Sequence, residues 1–280
     1  MARRRVAGST ARECAPIRAY RQDPCSAIVI QTHNKAKNLP MLIECARRAG
    51  AEELVVIDDG SADGSLSIVQ DLLRGRNEFA LRSNDLFEIR MYNRALSFTR
   101  AEYVALLQDD DIALPGDDDW LVNAIGLFTQ HERLAVLGGR DALALHVQDD
   151  MRVGYRATGT GDFSFAEYVN RAPFIVRKSA WSDLGGFDEG FAPFQCDDVD
   201  FCIRAWLNGW HVGHRAMPFV RDVGVGGMRL LSDERRAGQM ARNWAIIADR
   251  YTGAISSGEL RSLVEAATTT SIRTGGPHVR

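Results

Sequence analysis

The order of apolar and polar positions along the chain gives the first picture of its elements. Residues 27–30 (Ala-Ile-Val-Ile) form a short β-branched run, read as a buried strand. A helix-type segment follows over 39–49, with Pro40 near its start and Gly50 as its stop. A second apolar run at 54–57 ends in Asp58-Asp59-Gly60-Ser61. Leu66, Val69, Leu72 and Leu73 then recur at helical spacing, with Asp63 or Ser65 as the expected cap. Residues 79–81 predict a third strand, 86–99 a helix, and 103–107 a buried strand that again ends in acid, Asp109-Asp110-Asp111. Pro115-Gly116 turns the chain into a helix reaching about Gln130, with Asp117, Asp118 and Asp119 placed in its first turn.

Beyond this point the pattern predicts strands at 134–137, 142–147 and 174–176, and a short helix at 178–184 that stops at Gly185-Gly186. Residues 148–172 are polar and turn-rich, and read as a loop over the site. A helix is expected over 198–207, His211 and His214 on a late strand, and His131 at a helix end. Two closing helices are expected in 232–268, with a frayed end from 270. Strands alternating with helices predict an α/β fold with a mostly parallel central sheet flanked by helices and a helical C-terminal extension. Ligands of such sheets bind beyond the carboxyl ends of strands, which is where two acidic clusters fall.

Composition narrows the functional classes. The 280 residues carry 34 Lys and Arg against 37 Asp and Glu, a net charge of −3, which argues against a nucleic-acid partner. No apolar run approaches the ~20 residues of a membrane helix. Cys14, Cys25, Cys45, Cys196 and Cys202 form no C-x-x-C pair or zinc spacing, so free thiols in a reducing compartment are expected. Residues 1–24 hold six arginines and two acids. They read as a flexible basic leader on a cytoplasmic protein, a transit peptide being the other reading.

Three acidic clusters carry the candidate chemistry. Gln108-Asp109-Asp110-Asp111, at the end of a buried strand, is either a solvated turn or a site for a hard divalent cation with oxygen ligands. Asp58-Asp59-Gly60-Ser61 is either an Asx-type turn or a contact for a ribose hydroxyl or base N–H. Asp197, Asp198 and Asp200 either complement a helix dipole or supply a general base toward an alcohol. His33 follows the first strand on the presumed ligand side. There is no P-loop and no G-x-G-x-x-G, which counts against Walker-type phosphoryl transfer and a dinucleotide dehydrogenase.

Taken together, Ile28-Val29-Ile30-Gln31-Thr32-His33-Asn34-Lys35, Val55-Val56-Ile57-Asp58-Asp59-Gly60-Ser61 and Glu102 through Pro115 resemble the family 2 glycosyltransferases of GT-A fold. Gly185-Gly186-Phe187-Asp188-Glu189 and Asp197 through Arg204 fit the same family. The resemblance runs from about 26 to 222 with the blocks in the family's order, and implies a Rossmann-like GT-A domain over 25–228. A helical extension over 229–270 and a disordered tail over 271–280 complete the expected organisation.

The resemblance also implies roles. Thr32 and His33 match the loop around the nucleotide base, Asp59 the residue that contacts uracil, and Arg90 a phosphate contact. Asp109 would approach the ribose, and Asp110 would hold a Mn²⁺ or Mg²⁺ bridging the diphosphate of a UDP-sugar donor. Asp198 matches the inverting general base, with Asp197 and Asp188 as positioning or acceptor-binding groups. The acceptor would be a glycan, lipid or protein hydroxyl. Two departures stand out: Gln108 replaces the motif's usual first Asp, and 218–224 lacks the family's late His, leaving Asp222 or Arg221 as substitutes. A non-catalytic nucleotide-sugar binding protein and a nucleotidyltransferase are the competing readings, the second weakened by the lack of glycine in Gln31-Thr32-His33-Asn34.

Overall fold

A computed structural model describes residues 25–114, 116, 118–159, 161–221 and 232–273. The first half alternates strand and helix: β1 (Ser26–Thr32), α1 (Leu39–Arg48), β2 (Glu53–Asp59), α2 (Ser65–Leu72), β3 (Glu78–Ser83), α3 (Phe87–Phe98) and β4 (Tyr103–Gln108). The continuous apolar runs of β1, β2 and β4 have a direct cause, since both faces of these strands are covered. In β1, Ala27 and Val29 pack toward Ile89, Tyr92 and Leu96 of α3. Ile28 and Ile30, pointing the other way, join Leu39, Leu42 and Ile43 of α1.

The chain continues through β5 (Asp111–Ala113), α4 (Trp120–Gln130), β6 (Leu134–Gly138), β7 (Ala142–Val147), β8 (Val153–Ala157), β9 (Ser164–Phe165), β10 (Tyr168–Val169), β11 (Phe174–Arg177) and α5 (Lys178–Leu184). A 3-10 turn (Glu189–Phe191), α6 (Asp197–Leu207), β12 (His211–His214), β13 (Phe219–Arg221), α7 (Asp233–Ser256) and α8 (Glu259–Arg273) complete it. Eight strands form the main sheet in the order β3-β2-β1-β4-β11-β6-β12-β9. β1 runs parallel to β2 and β4, β2 to β3, and β12 to β6, while β11 and β9 run against their neighbours. The strand order reverses at β1, flanked by β2 and β4.

Several expectations change. Residues 148–172 are not a plain loop: they contain β8, β9 and β10, and β8 and β10 pair with β7 in a three-stranded sheet. α4 starts at Trp120, so Asp118 and Asp119 precede the helix rather than filling its first turn. Asp118 pairs with Arg48 at 3.0 Å, and Asp117 lies outside the described residues. Gly64 in a left-handed conformation, not Asp63 or Ser65, flanks the start of α2, and Asp63 accepts from the Ser65 backbone N–H at 3.0 Å. α8 runs to Arg273, three residues into the stretch expected to be disordered. Residues 1–24 and 274–280, and the expected boundary near 228, lie outside the described residues. Among the described residues no helix is long and apolar enough to cross a membrane.

The C-terminal helices are integral to the packing. Ile247, Tyr251 and Ile255 of α7 and Leu260 of α8 belong to the same core as Val29 and Phe201. α7 lies on β7 and β8, and α8 on α6 and β9.

Candidate active site

A cleft of about 550 Å³ opens beside the carboxyl ends of β1 and β4, where the strand order turns back on itself. That is the position expected of a ligand crevice in an open α/β sheet, and the size suits a small-molecule site. Gln31 and His33 line it from the β1 end, and Gln108, Asp109 and Asp110 from the β4 end. The strand register sets this placement, because Gln31 lies between Ile57 and Gln108.

His33 stitches the strand ends together. Its backbone N–H donates to Asp109 Oδ2 (2.8 Å), and its Nδ1–H donates to the Asp59 carbonyl (2.8 Å). Nε2 lies 3.0 Å from Asn34 Nδ2. Asp58 accepts from the Ser61 backbone N–H (3.2 Å), closing a turn in which Gly60 has φ +79°. Few side chains tolerate that φ. Asp111 is fully buried and accepts from the Gln108 backbone N–H (3.0 Å), which turns β4 into β5. Asp109 and Asp110 remain on the cleft, each under a tenth exposed. Burial pushes Asp109 up to about 7, the His33 N–H opposing and the Asp110 charge adding to the shift.

The facing wall carries the second carboxylate pair. Gln195 and Cys196 both have positive φ (76° and 65°), a conformation that is costly for non-glycine residues and that clusters at functional sites. The bend delivers Asp197 and Asp198 to the start of α6 and into the cleft. Asn243 of α7, wholly buried, holds the bend by donating to the carbonyls of Phe191 (2.8 Å), Phe194 (2.9 Å) and Gln195 (2.8 Å). Asp197 is fully buried, whereas Asp198 is half-buried and accepts from the Val199 N–H at 2.9 Å. Burial raises both carboxyls, and the neighbouring Arg171 charge partly holds them down.

Arg171 is the residue that sequence reasoning missed. Its guanidinium, 7 % exposed, donates to Glu88 of α3 at 3.1 Å and to Asp197. It also lies over the rings of Tyr92 (5.1 Å) and Phe187 (5.3 Å). Glu88 in turn accepts from the Gln108 side chain. One buried cation thus joins the β4 end to the α6 start. A lone Arg in Asn170-Arg171-Ala172-Pro173 gives no motif signal; only its charge in an otherwise buried stretch marks it.

The expected site residues do not all converge. His33, Asp109, Asp110, Asp197 and Asp198 share the cleft. Thr32 is wholly buried beneath it and is not among its lining residues. Asp59 is also buried, and its carboxylate is taken by the Ser83 hydroxyl (2.7 Å) and the N–H groups of Leu86 (3.1 Å) and Phe87 (2.8 Å). It anchors the entry to α3. Arg90 points away, pairing with Glu189 at 3.5 Å on an exposed face. Asp188 also lies elsewhere: it accepts from the Gly190 N–H (2.7 Å) and pairs with Arg250 of α7 (2.7 Å). Arg221 ends β13, and Asp222 lies outside the described residues. α7 contributes Arg236, Met240 and Trp244 to the cleft, a contribution the sequence pattern did not show.

The donor set can be tested for a divalent cation. Asp109 and Asp110 are adjacent carboxylates on the cleft, and the raised Asp109 carboxyl is the kind a cation would discharge. Among the described residues no group of three or more His, Cys, Asp or Glu gathers around a point. One or two protein carboxylates, completed by a phosphate-bearing ligand and water, is the usual mode for Mg²⁺. The residues fit such a cation.

Comparison with known proteins gives the family and the fold. A family model described as Glycosyl transferase family 2 matches residues 27–169. The pre-mycofactocin glycosyltransferase of Mycobacterium tuberculosis (strain ATCC 25618 / H37Rv) is 26% identical over 189 residues, covering 63% of this chain and 38% of that protein. The chain therefore spans well under half the length of the curated relatives it matches. Among solved structures, mannosyltransferase PcManGT from Pyrobaculum calidifontis, in complex with GDP-Man and Mn²⁺, has a TM-score of 0.59 at 15% identity over 92% of this chain and 77% of that one. S. aureus TarS 1–349 in complex with UDP-GlcNAc gives 0.53 at 16% identity over 89% and 80%. These structures speak for a GT-A-like fold. The family match begins in β1 and ends in β10, taking in both strand ends that border the cleft, and on that match the chain belongs to glycosyl transferase family 2.

Proposed function

We propose that the protein is a glycosyltransferase that moves a sugar from a nucleoside-diphosphate donor, a UDP-sugar, to an acceptor hydroxyl with inversion. The observation that carries this reading is the meeting of Asp110 and Asp198 in one cleft, from elements 88 residues apart in the chain. His33 and the β1 end take the nucleoside side, Asp109 the ribose, and Asp110 the metal and diphosphate. The Mn²⁺ in the PcManGT complex and the nucleotide sugars in both neighbours support the donor class.

Asp198, half-buried with its carboxyl raised by burial, is suited to accept a proton. In the transfer step the acceptor oxygen forms a bond to the anomeric carbon as the bond from that carbon to the diphosphate oxygen breaks. The electron pair leaves with the diphosphate, and the acceptor proton passes to Asp198. A bound cation supplies charge stabilisation to the leaving diphosphate. Arg171 keeps Asp197 engaged, leaving Asp198 as the base.

A thermal-shift panel tests the reading. UDP-glucose, UDP-galactose, UDP-N-acetylglucosamine and GDP-mannose are each added with Mn²⁺ or Mg²⁺. A ligand that binds only the native state raises the melting temperature, so a UDP-sugar should stabilise the protein and Asp110→Ala should abolish the metal-dependent part. No stabilisation by any sugar nucleotide would sink the proposal.

A further inference from the structure

The cleft has an apolar lip that the transfer chemistry does not use. Tyr155 of β8 lies on the lining and is 56% exposed. It is nevertheless held: its ring stacks on Trp244 of α7 at 5.8 Å and 18°, and meets Tyr168 edge-on at 6.0 Å. Met240, one helical turn before Trp244 and 39% exposed, extends the same surface. The Tyr155 ring, held by two neighbours, is thus open at a cleft that also holds Asp198. Tyr168 links the two: burial, and then the nearby Asp198 charge, push its phenol up.

We infer that Tyr155, Trp244 and Met240 form the acceptor subsite, and that the acceptor is a saccharide laying the C–H face of a pyranose ring on the Tyr155 ring. The inference rests on the glycosyltransferase reading and extends it to the acceptor. Beside this wall the cleft is lined by the polar residues Arg140, Asn170, Gln195 and Arg236, together with Leu143 and Phe194. One apolar wall among hydrogen-bonding groups matches a ring with one apolar face and a hydroxyl edge. A flat aryl alcohol, apolar on both faces, brings only one hydroxyl to those polar groups.

The experiment uses the full chain, Mn²⁺ and whichever of the four sugar nucleotides gives the largest thermal shift. Nucleoside diphosphate release is followed with water alone, with methyl pyranosides and short oligosaccharides, and with simple aryl alcohols. A saccharide should speed release above hydrolysis. Tyr155→Ala and Trp244→Ala should each lower the ratio of transfer to hydrolysis by about tenfold, through a higher acceptor KM, the scale of one lost aromatic contact. Tyr155→Phe, which keeps the ring, should stay within about twofold. The thermal shift with donor shows that each variant is folded. Aryl alcohols acting where saccharides do not, no saccharide speeding release, or an unchanged ratio in both alanine variants would overturn the inference. A wild-type protein that neither binds nor hydrolyses any donor would instead mark a failure of the underlying glycosyltransferase reading.

Discussion

The strand-end wall of the cleft and the wall opposite it are built in different ways. On the first, His33, Asp109 and Asp110 follow directly from buried strands whose register is fixed by backbone pairing over β1, β2 and β4. On the second, Arg171, Asp197, Asp198, Tyr155 and Trp244 come from four separate stretches and are joined by side chains. Arg171 reaches Glu88 across 83 positions, and Asn243 reaches the bend before α6 across about 50. A wall set by sheet register tolerates the loss of a single side chain, since the backbone ladder still holds it. A wall set by side-chain links does not, so the predictions concentrate there.

The largest effect is expected at Asp198. Asp198→Asn should lower turnover by ~10²–10⁴-fold, the usual range for a lost general base, equivalent to about 3–5 kcal/mol of barrier. Donor binding, measured calorimetrically, should persist, because the proposed function puts the donor contacts on the other wall. Equal loss of binding and turnover would mean that the two walls are not functionally distinct.

Arg171→Met comes next. It leaves Glu88 and Asp197 without their shared cation, and breaking a buried ion pair costs about 3–5 kcal/mol. For a chain this size that is a fall in melting temperature of roughly 10 °C. The variant also predicts a pH signature. Arg171 holds the Asp198 carboxyl down against burial, with Glu88 pushing the other way. Removing the cation raises Asp198 further, so the acid limb of the rate profile moves to higher pH, while Arg171→Lys leaves it near its wild-type position. A limb that stays put in both variants would assign Arg171 to packing alone.

The two walls were also unequally legible in the sequence. The continuous apolar runs before Asp58-Asp59 and Asp109-Asp110 announce buried strands, so the sequence itself places the acids at their ends. The facing wall lacks such a signal. In β8 only Val153 is buried, which leaves no alternation to read, and β9 and β10 are two residues each. α7 shows its periodicity, but it carries two stripes: Asn243, Ile247, Tyr251 and Ile255 face the core, while Arg236, Met240 and Trp244 face the cleft. Spacing alone does not say which stripe meets which surface. Asp59 and Arg90 illustrate the opposite limit. Their positions match the family pattern, yet local partners claim the Asp59 carboxylate and an exposed acid claims Arg90.

Asn243→Ala probes the dependence of the second wall on α7. Three carbonyls lose their shared donor in a buried place, at about 1–3 kcal/mol for the unmet groups. The melting temperature should fall by several degrees, and turnover should drop more than donor affinity because the bend that aims Asp198 is released. Parallel loss of both would place the bend outside the base's control.

The smallest effect tests the assignment of Arg90. Its side chain is 46% exposed and its partner Glu189 37%, and Arg94 offers Glu189 a second partner at 3.2 Å. An exposed pair of this kind contributes about 0–1 kcal/mol, and Arg94 remains to hold the acid. Arg90→Ala should therefore leave donor affinity within about twofold, and stability within about 0.5 kcal/mol, as for ordinary surface changes. A tenfold or greater loss of sugar-nucleotide binding, read by calorimetry with Mn²⁺ present, would show that Arg90 swings from Glu189 to the diphosphate when donor binds. The strand-end wall would then extend along α3, and the contrast between a register-built donor side and a side-chain-built acceptor side would have to be redrawn.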